Sequence, residues 1–154
     1  LSETLEFNIK GLESILKALK GEMPTARVGI LGSKTNRNKN TVTNATVGAA
    51  HEFGTDKLPV RSFLRVPITE HLQGEIEKSG ALDKEALAEV VRSGSVKIWL
   101  EKITGLAENI VLGAFSSGGY GKWPAWKTPG YENNTGQILV DTQQLRNSIT
   151  SEVK

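Results

Sequence analysis

Residues 51–67, His51-Glu52-Phe53-Gly54-Thr55-Asp56-Lys57-Leu58-Pro59-Val60-Arg61-Ser62-Phe63-Leu64-Arg65-Val66-Pro67, constrain this chain more than any other stretch. Gly54 accepts positive φ, and Thr55 and Asp56 can bond their own backbone, so the chain turns there. Pro59 and Pro67 hold the residues before them extended. Phe53, Leu58, Phe63 and Leu64 are expected to plug a core. Arg61 and Arg65 fall on one side of an extended segment, either as solvated arginines or as salt-bridge or partner contacts. The stretch is a built connection between a run of small residues and a long helical region.

Upstream, Leu5, Phe7 and Ile9 alternate with polar residues at the period of a half-buried strand, and Gly11 ends the pattern. Leu12, Ile15, Leu16 and Leu19 then recur at helical spacing until Pro24 breaks the helix. Ala26–Leu31 reads as a second strand, with Gly29 marking a bulge or a close neighbour. A long basic loop over 32–44 follows, carrying Lys34, Arg37 and Lys39 and almost nothing to bury. Such a loop stays solvated, or it orders only against a neighbouring subunit or passing DNA. Val47, Ala50 and Phe53 at three-residue spacing suggest a short helix over 45–53, with a strand as the alternative.

Downstream, Pro67 suits a first helical turn, and Ile68, Leu72 and Ile76 form a stripe opposite Glu70, Gln73 and Glu77. Asp83 is placed to cap a further helix with Ala86, Leu87, Val90 and Val91 inward. Ser95 is placed to cap the longest apolar face, Val96, Trp99, Leu100, Ile103, Leu106, Ala107, Ile110 and Ala114, on which Trp99 is a core anchor. Ile98, Val111, Leu112 and Phe115 widen that face enough to imply a second contact surface. A glycine and aromatic loop over 116–136 carries Tyr120, Trp123, Trp126 and Tyr131, either as an interface or as a plug over the core. Finally, Asp141 is expected to cap a short helix with Gln144 as its box partner, and 149–153 to form a strand paired with one nearer the N-terminal half.

The 154 residues suit one domain over 1–154, with an α+β fold: a small antiparallel sheet of about four strands, packed on one face by helices. Nineteen basic against 17 acidic residues leave a net charge of +2, which disfavours strongly electrostatic binding to nucleic acid or membrane and favours protein partners. Without cysteine there is no disulfide framework and no thiol chemistry. No apolar run approaches the roughly 20 residues of a membrane span. Leu1 stands where a gene product would carry Met, so the chain is expected to start inside a longer one. His51 and Glu52 point apart on a helix, HExxH and G-x-S-x-G are absent, and Gly121-Lys122 is no phosphate cradle. We therefore expect no enzyme, no cofactor and no metal site. A hydrolase would need His51 or His71 in a pocket with an acid. A nucleic-acid-binding module would use the basic loop and the aromatics as a stacking groove.

Two blocks carry a resemblance. The first is Ala49-Ala50-His51-Glu52-Phe53-Gly54-Thr55 with Leu58-Pro59-Val60-Arg61-Ser62-Phe63-Leu64-Arg65. The second is Gly118-Gly119 and Trp123 with Ile138-Leu139-Val140-Asp141-Thr142-Gln143-Gln144-Leu145-Arg146-Asn147-Ser148-Ile149. Together they resemble the bacteriophage tail-completion and virion-morphogenesis proteins, the small neck proteins related to tail terminators. The family places glycine after the Asp-Thr pair, where this chain has Gln143, so the local turn is open to change. The resemblance implies a virion protein at the head–tail junction, made in the host cytoplasm and assembled as a homo-oligomeric ring, commonly a hexamer. It implies the tail tube protein and the head connector as partners, with head closure as an alternative role. Phe53, Pro59, Arg61, Phe63, Leu64 and Arg65 would then build scaffold or subunit contact, and Trp123, Trp126 and Tyr131 a partner contact. Lys34, Arg37 and Lys39 would face the lumen or a neighbour.

Overall fold

Ala26–Ile30 (β1) and Ile149–Val153 (β2) pair antiparallel, with Ala26 opposite Val153 and Ile30 opposite Ile149. The pairing of the C-terminal strand with the N-terminal half is as expected. The computed structural model describes residues 24–32, 42–93, 95–125 and 143–154. The strand expected at 5–9 and the helix at 12–19 lie outside the described residues, as do Lys34, Arg37, Lys39, Trp126 and Tyr131. Helices plus an antiparallel sheet make the fold mixed α and β, and the sheet has two strands among the described residues rather than four.

Five helices complete the described chain: α1 (Asn44–Phe53), α2 (Arg65–Lys78), α3 (Lys84–Ser93), α4 (Val96–Ser117) and α5 (Gln144–Asn147). The 22-residue α4 is the axis. It packs against α2, against both strands and, near its start, against α3. Gly118 ends it in the left-handed region at φ 62°, a conformation glycine adopts without steric penalty. Trp99 anchors the start of α4, its indole N–H donating to the Ala81 carbonyl at 2.7 Å.

The core gathers at the other end of α4, where Val111, Ala114 and Phe115 meet Phe63, Leu145 and Ile149, all buried. Phe63 and Phe115 lie 5.1 Å apart between ring centroids. Val111 and Phe115 are fully buried within the chain, which corrects the expectation that they form a second contact surface. Helix α2 and both strands pack on α4, whereas Ile98, near its start, is 53% exposed.

Three further expectations change. Phe53 is 66% exposed and does not plug the core. The buried side of α1 is Asn44, Gly48 and Glu52, a four-residue spacing that turns the adjacent Phe53 about 100° away. Helix α3 has no buried residue, and Leu87 and Val91 face outward; its one extensive contact among the described elements is α4, too little to cover its apolar stripe. Helix α5 begins at Gln144 with Gln143 at the N-cap position, later than the expected start, and Asp141 itself lies outside the described residues. Gln143 takes a left-handed backbone at φ 54° and ψ −1°, the region for which glycine is suited.

Candidate functional site

The turn between α1 and α2 is built on Thr55. Its backbone exchanges hydrogen bonds with Leu58, and its hydroxyl accepts from the Lys57 and Leu58 nitrogens. Gly54 supplies the positive φ, at 76°. The Arg61 nitrogen donates to the His51 carbonyl at 2.7 Å, which brings the chain back beside the helix it left.

Glu52 is the centre of this connection. Buried to 5% exposure, its carboxylate accepts from the Ser62 hydroxyl at 2.6 Å and from the backbone nitrogens of Phe63, Leu64 and Arg65, each at 3.0 Å. The Ser62 hydroxyl in turn accepts from the Val66 nitrogen at 3.0 Å. Pro67 has no N–H to satisfy, and Ile68 donates to the Leu64 carbonyl. Every amide that the start of α2 would leave without a partner is thus engaged or absent. The negative charge also faces the positive end of the helix dipole. Bonds to a charged acceptor contribute roughly 1.5–3 kcal/mol each, so Glu52 fixes the whole turn. From sequence, Glu52 registers only as the acid beside His51. The available signal is the run Ser62-Phe63-Leu64-Arg65-Val66 ahead of Pro67, a helix start that needs an acceptor.

The second motif block closes over this turn. Arg61, 1% exposed, bonds within the chain: its Nε and Nη2 donate to the Pro124 carbonyl at 3.2 Å, and Nη2 also donates to the Ala125 carbonyl at 3.3 Å. Burial pulls its pKa below the ordinary guanidinium value. The Trp123 indole donates to the Ser62 carbonyl at 3.0 Å and meets Phe115 edge-on at 5.8 Å. Of the roles open to Trp123, this packing is that of a plug over the core. Gly119 makes room for it, since a β-carbon there would lie 2.2 Å from the ring. Outside the plug, Lys122 reaches the Glu70 carboxylate at 2.6 Å.

Next to the turn, an apolar groove of about 260 Å³ is lined by Ile30, Gly48, Phe53, Phe63, Leu64 and Arg65 among others. Phe53 and Arg65 form an exposed pair on it: the guanidinium carbon lies 5.6 Å from the Phe53 ring centroid, and Arg65 Nε is 3.7 Å from Glu52. Pro59 is exposed on the same turn. Phe63 and Leu64 face the core, so the expected candidates divide into scaffold (Arg61, Phe63, Leu64, Trp123) and free surface (Phe53, Pro59, Arg65). A groove of this kind suits an apolar side chain from a partner.

A second cavity, of about 210 Å³, is lined by His71, Glu75, Leu106, Asn109, Ile110 and Tyr120. The His71 and Tyr120 rings lie 4.0 Å apart, and the Tyr120 hydroxyl donates to the Ile110 carbonyl at 2.9 Å. His71 therefore shares a cavity with an acid, whose carboxylate is held 2.8 Å from Lys78 Nζ. His51 does not line it. Among the described residues no group of three or more His, Cys, Asp or Glu is placed to hold a metal ion, and no helix is long and apolar enough to cross a membrane. Comparison with family models, curated proteins and solved structures finds no match to the chain.

Proposed function

We propose that this chain is a virion structural protein that completes a phage tail at the head–tail junction, working as a ring of identical copies. One side of the ring caps the last ring of the tail tube, and the other meets the head connector. The mechanism is recognition through fixed surfaces. One observation carries the reading: the described parts of the two sequence blocks that resemble tail-completion proteins, separated by more than one helix, are bonded and packed together. Ser62 of the first block holds Trp123 of the second, and Phe63 packs with Leu145 and Ile149. Residues recruited from both blocks into one rigid turn make sense as a scaffold that presents Phe53, Pro59 and Arg65 at its surface.

The test is assembly. Purified protein at rising concentration is expected to pass from monomer to a closed oligomer in multi-angle light scattering, and to appear as a ring on tail-tube ends by electron microscopy. A chain that stays monomeric and leaves tube ends bare overturns the proposal.

A further inference from the structure

We propose that the cavity bounded by α2, α4 and Tyr120 is a binding site for a guanidinium group, whether or not the chain assembles as a ring. The cavity holds about 210 Å³, and one of its walls is strained. Tyr120 has a left-handed backbone at φ 56°, a region unfavourable for any residue with a β-carbon. Three contacts keep it there. Its backbone nitrogen donates to the Ser117 hydroxyl at 2.8 Å, its own hydroxyl donates to the Ile110 carbonyl at 2.9 Å, and its ring centroid lies 4.0 Å from that of His71. Gly113 leaves room for it, since a β-carbon there would stand 2.8 Å from the Tyr120 hydroxyl. Strain of this kind persists only where the surroundings over-determine it, and such residues gather at ligand sites.

The chemistry of the lining selects the ligand. Glu75 follows His71 by one helical turn and lines the same cavity. Burial, and then the Glu75 charge, hold the Tyr120 phenol above its ordinary pKa, which puts that carboxylate within electrostatic reach of the ring. Glu75 Oε1 accepts from Lys78 at 2.8 Å, while Oε2 accepts no hydrogen bond among the described residues. Lys78 has 75% of its side chain in solvent, and an exposed pair of this kind is weak enough to be shared. The Asn109 amide lines the same space and offers a second acceptor. His71 turns its buried Nε2 towards Glu70, 4.0 Å away, and contributes its ring. A carboxylate and an amide oxygen beside two aromatic rings oppose an anion and suit a flat cation that donates in its plane and stacks on its face. Guanidinium does both, whereas an ammonium has no face to stack.

An arginine side chain of a partner protein and a free small guanidine share this chemistry, and the test separates them. Amide resonances of His71, Glu75, Asn109 and Tyr120 are followed by NMR in the full chain. The probes are arginine blocked as its N-acetyl amide, the same derivative of lysine, and methylguanidine. Saturable shifts at these residues are expected with millimolar blocked arginine, and the lysine derivative should bind at least about tenfold more weakly. Glu75→Gln should weaken binding at least about tenfold. Lys78→Ala, which removes the competing ammonium, should strengthen it about threefold. Both side chains bond only each other at the surface of α2, so the fold survives either change. Tighter binding of blocked arginine than of methylguanidine assigns the ligand to a protein partner, and the reverse order assigns it to a small molecule. Resonances that do not move, because the chain's own residues fill the cavity or because nothing binds, overturn the proposal. Equal binding of the lysine derivative, or unchanged affinity in Glu75→Gln, overturns it as well, and none of these failures touches the ring reading.

Discussion

The Ser62 hydroxyl donates to the Glu52 carboxylate at 2.6 Å, and through that bond the last turn of α1 holds the first turn of α2. Glu52→Gln keeps the size but replaces one acceptor oxygen with a donor that faces other donors. A loss of about 3 kcal/mol is expected, from two charged hydrogen bonds at roughly 1.5 kcal/mol each. Ser62→Ala should cost about 1.5 kcal/mol. The double variant should cost less than the sum, since both act on one helix start. Urea unfolding midpoints at constant slope measure all three, and strict additivity would show that the two residues do not act as a unit.

Arg61 of the first motif block reaches the carbonyls of Pro124 and Ala125, the two residues after Trp123. Arg61→Lys keeps the charge but loses the planar fork. It is expected to destabilise the fold by about 2 kcal/mol and to loosen the 118–125 segment, so that trypsin cuts after Lys122 faster than in the parent. An unchanged cutting rate would mean that the segment is held elsewhere.

Gly119→Ala places a methyl group 2.2 Å from the Trp123 ring at a residue whose φ is +68°. Overlap and a left-handed backbone both oppose it, and a cost of about 3 kcal/mol or more is expected. The Trp123 indole should lose its bond to Ser62, and near-ultraviolet circular dichroism of the folded variant would report the displaced ring. Gly118→Ala adds no overlap, since nothing lies within 4 Å of its β-carbon position, and should cost only the αL penalty of about 1 kcal/mol.

Gln143 occupies a left-handed conformation at φ 54°, the region that suits glycine. Gln143→Gly removes that strain while making the unfolded chain more flexible, and a net gain of about 0.5 kcal/mol is expected. Thermal melting would show it, and a lower melting temperature would contradict it.

Burial first, and then the Glu75 charge, raise the Tyr120 pKa above its ordinary value of 10.0. The folded phenol therefore keeps its proton where the unfolded one has lost it. The corresponding stability is whole below about pH 10 and is lost as pH rises through the folded value. Tyr120→Phe should flatten this alkaline decline. At neutral pH it should cost about 1 kcal/mol for the hydrogen bond to the Ile110 carbonyl. Urea titrations at neutral and alkaline pH separate the two effects.

Periodicity by itself determined most of the local structure. Ile68, Leu72 and Ile76 mark α2, Gly118 stops α4, the alternation after Ser148 gives β2, and Gly54 with Thr55 makes the turn, because each depends on residues a few positions apart. Tertiary structure alone decided where those elements spend their side chains. Glu52, unremarkable beside His51, became the buried centre because a helix start thirteen residues later lacked acceptors. Arg61 went inside because carbonyls more than sixty residues away were brought to it. Phe53 went outside because α1 turns Gly48 inward, where an added β-carbon would lie 2.7 Å from Ile30 Cδ1. Leu87 and Val91 stayed exposed because α3 packs extensively on α4 alone among the described elements. A sequence pattern states which side chains seek burial or partners, and only the assembled chain supplies them.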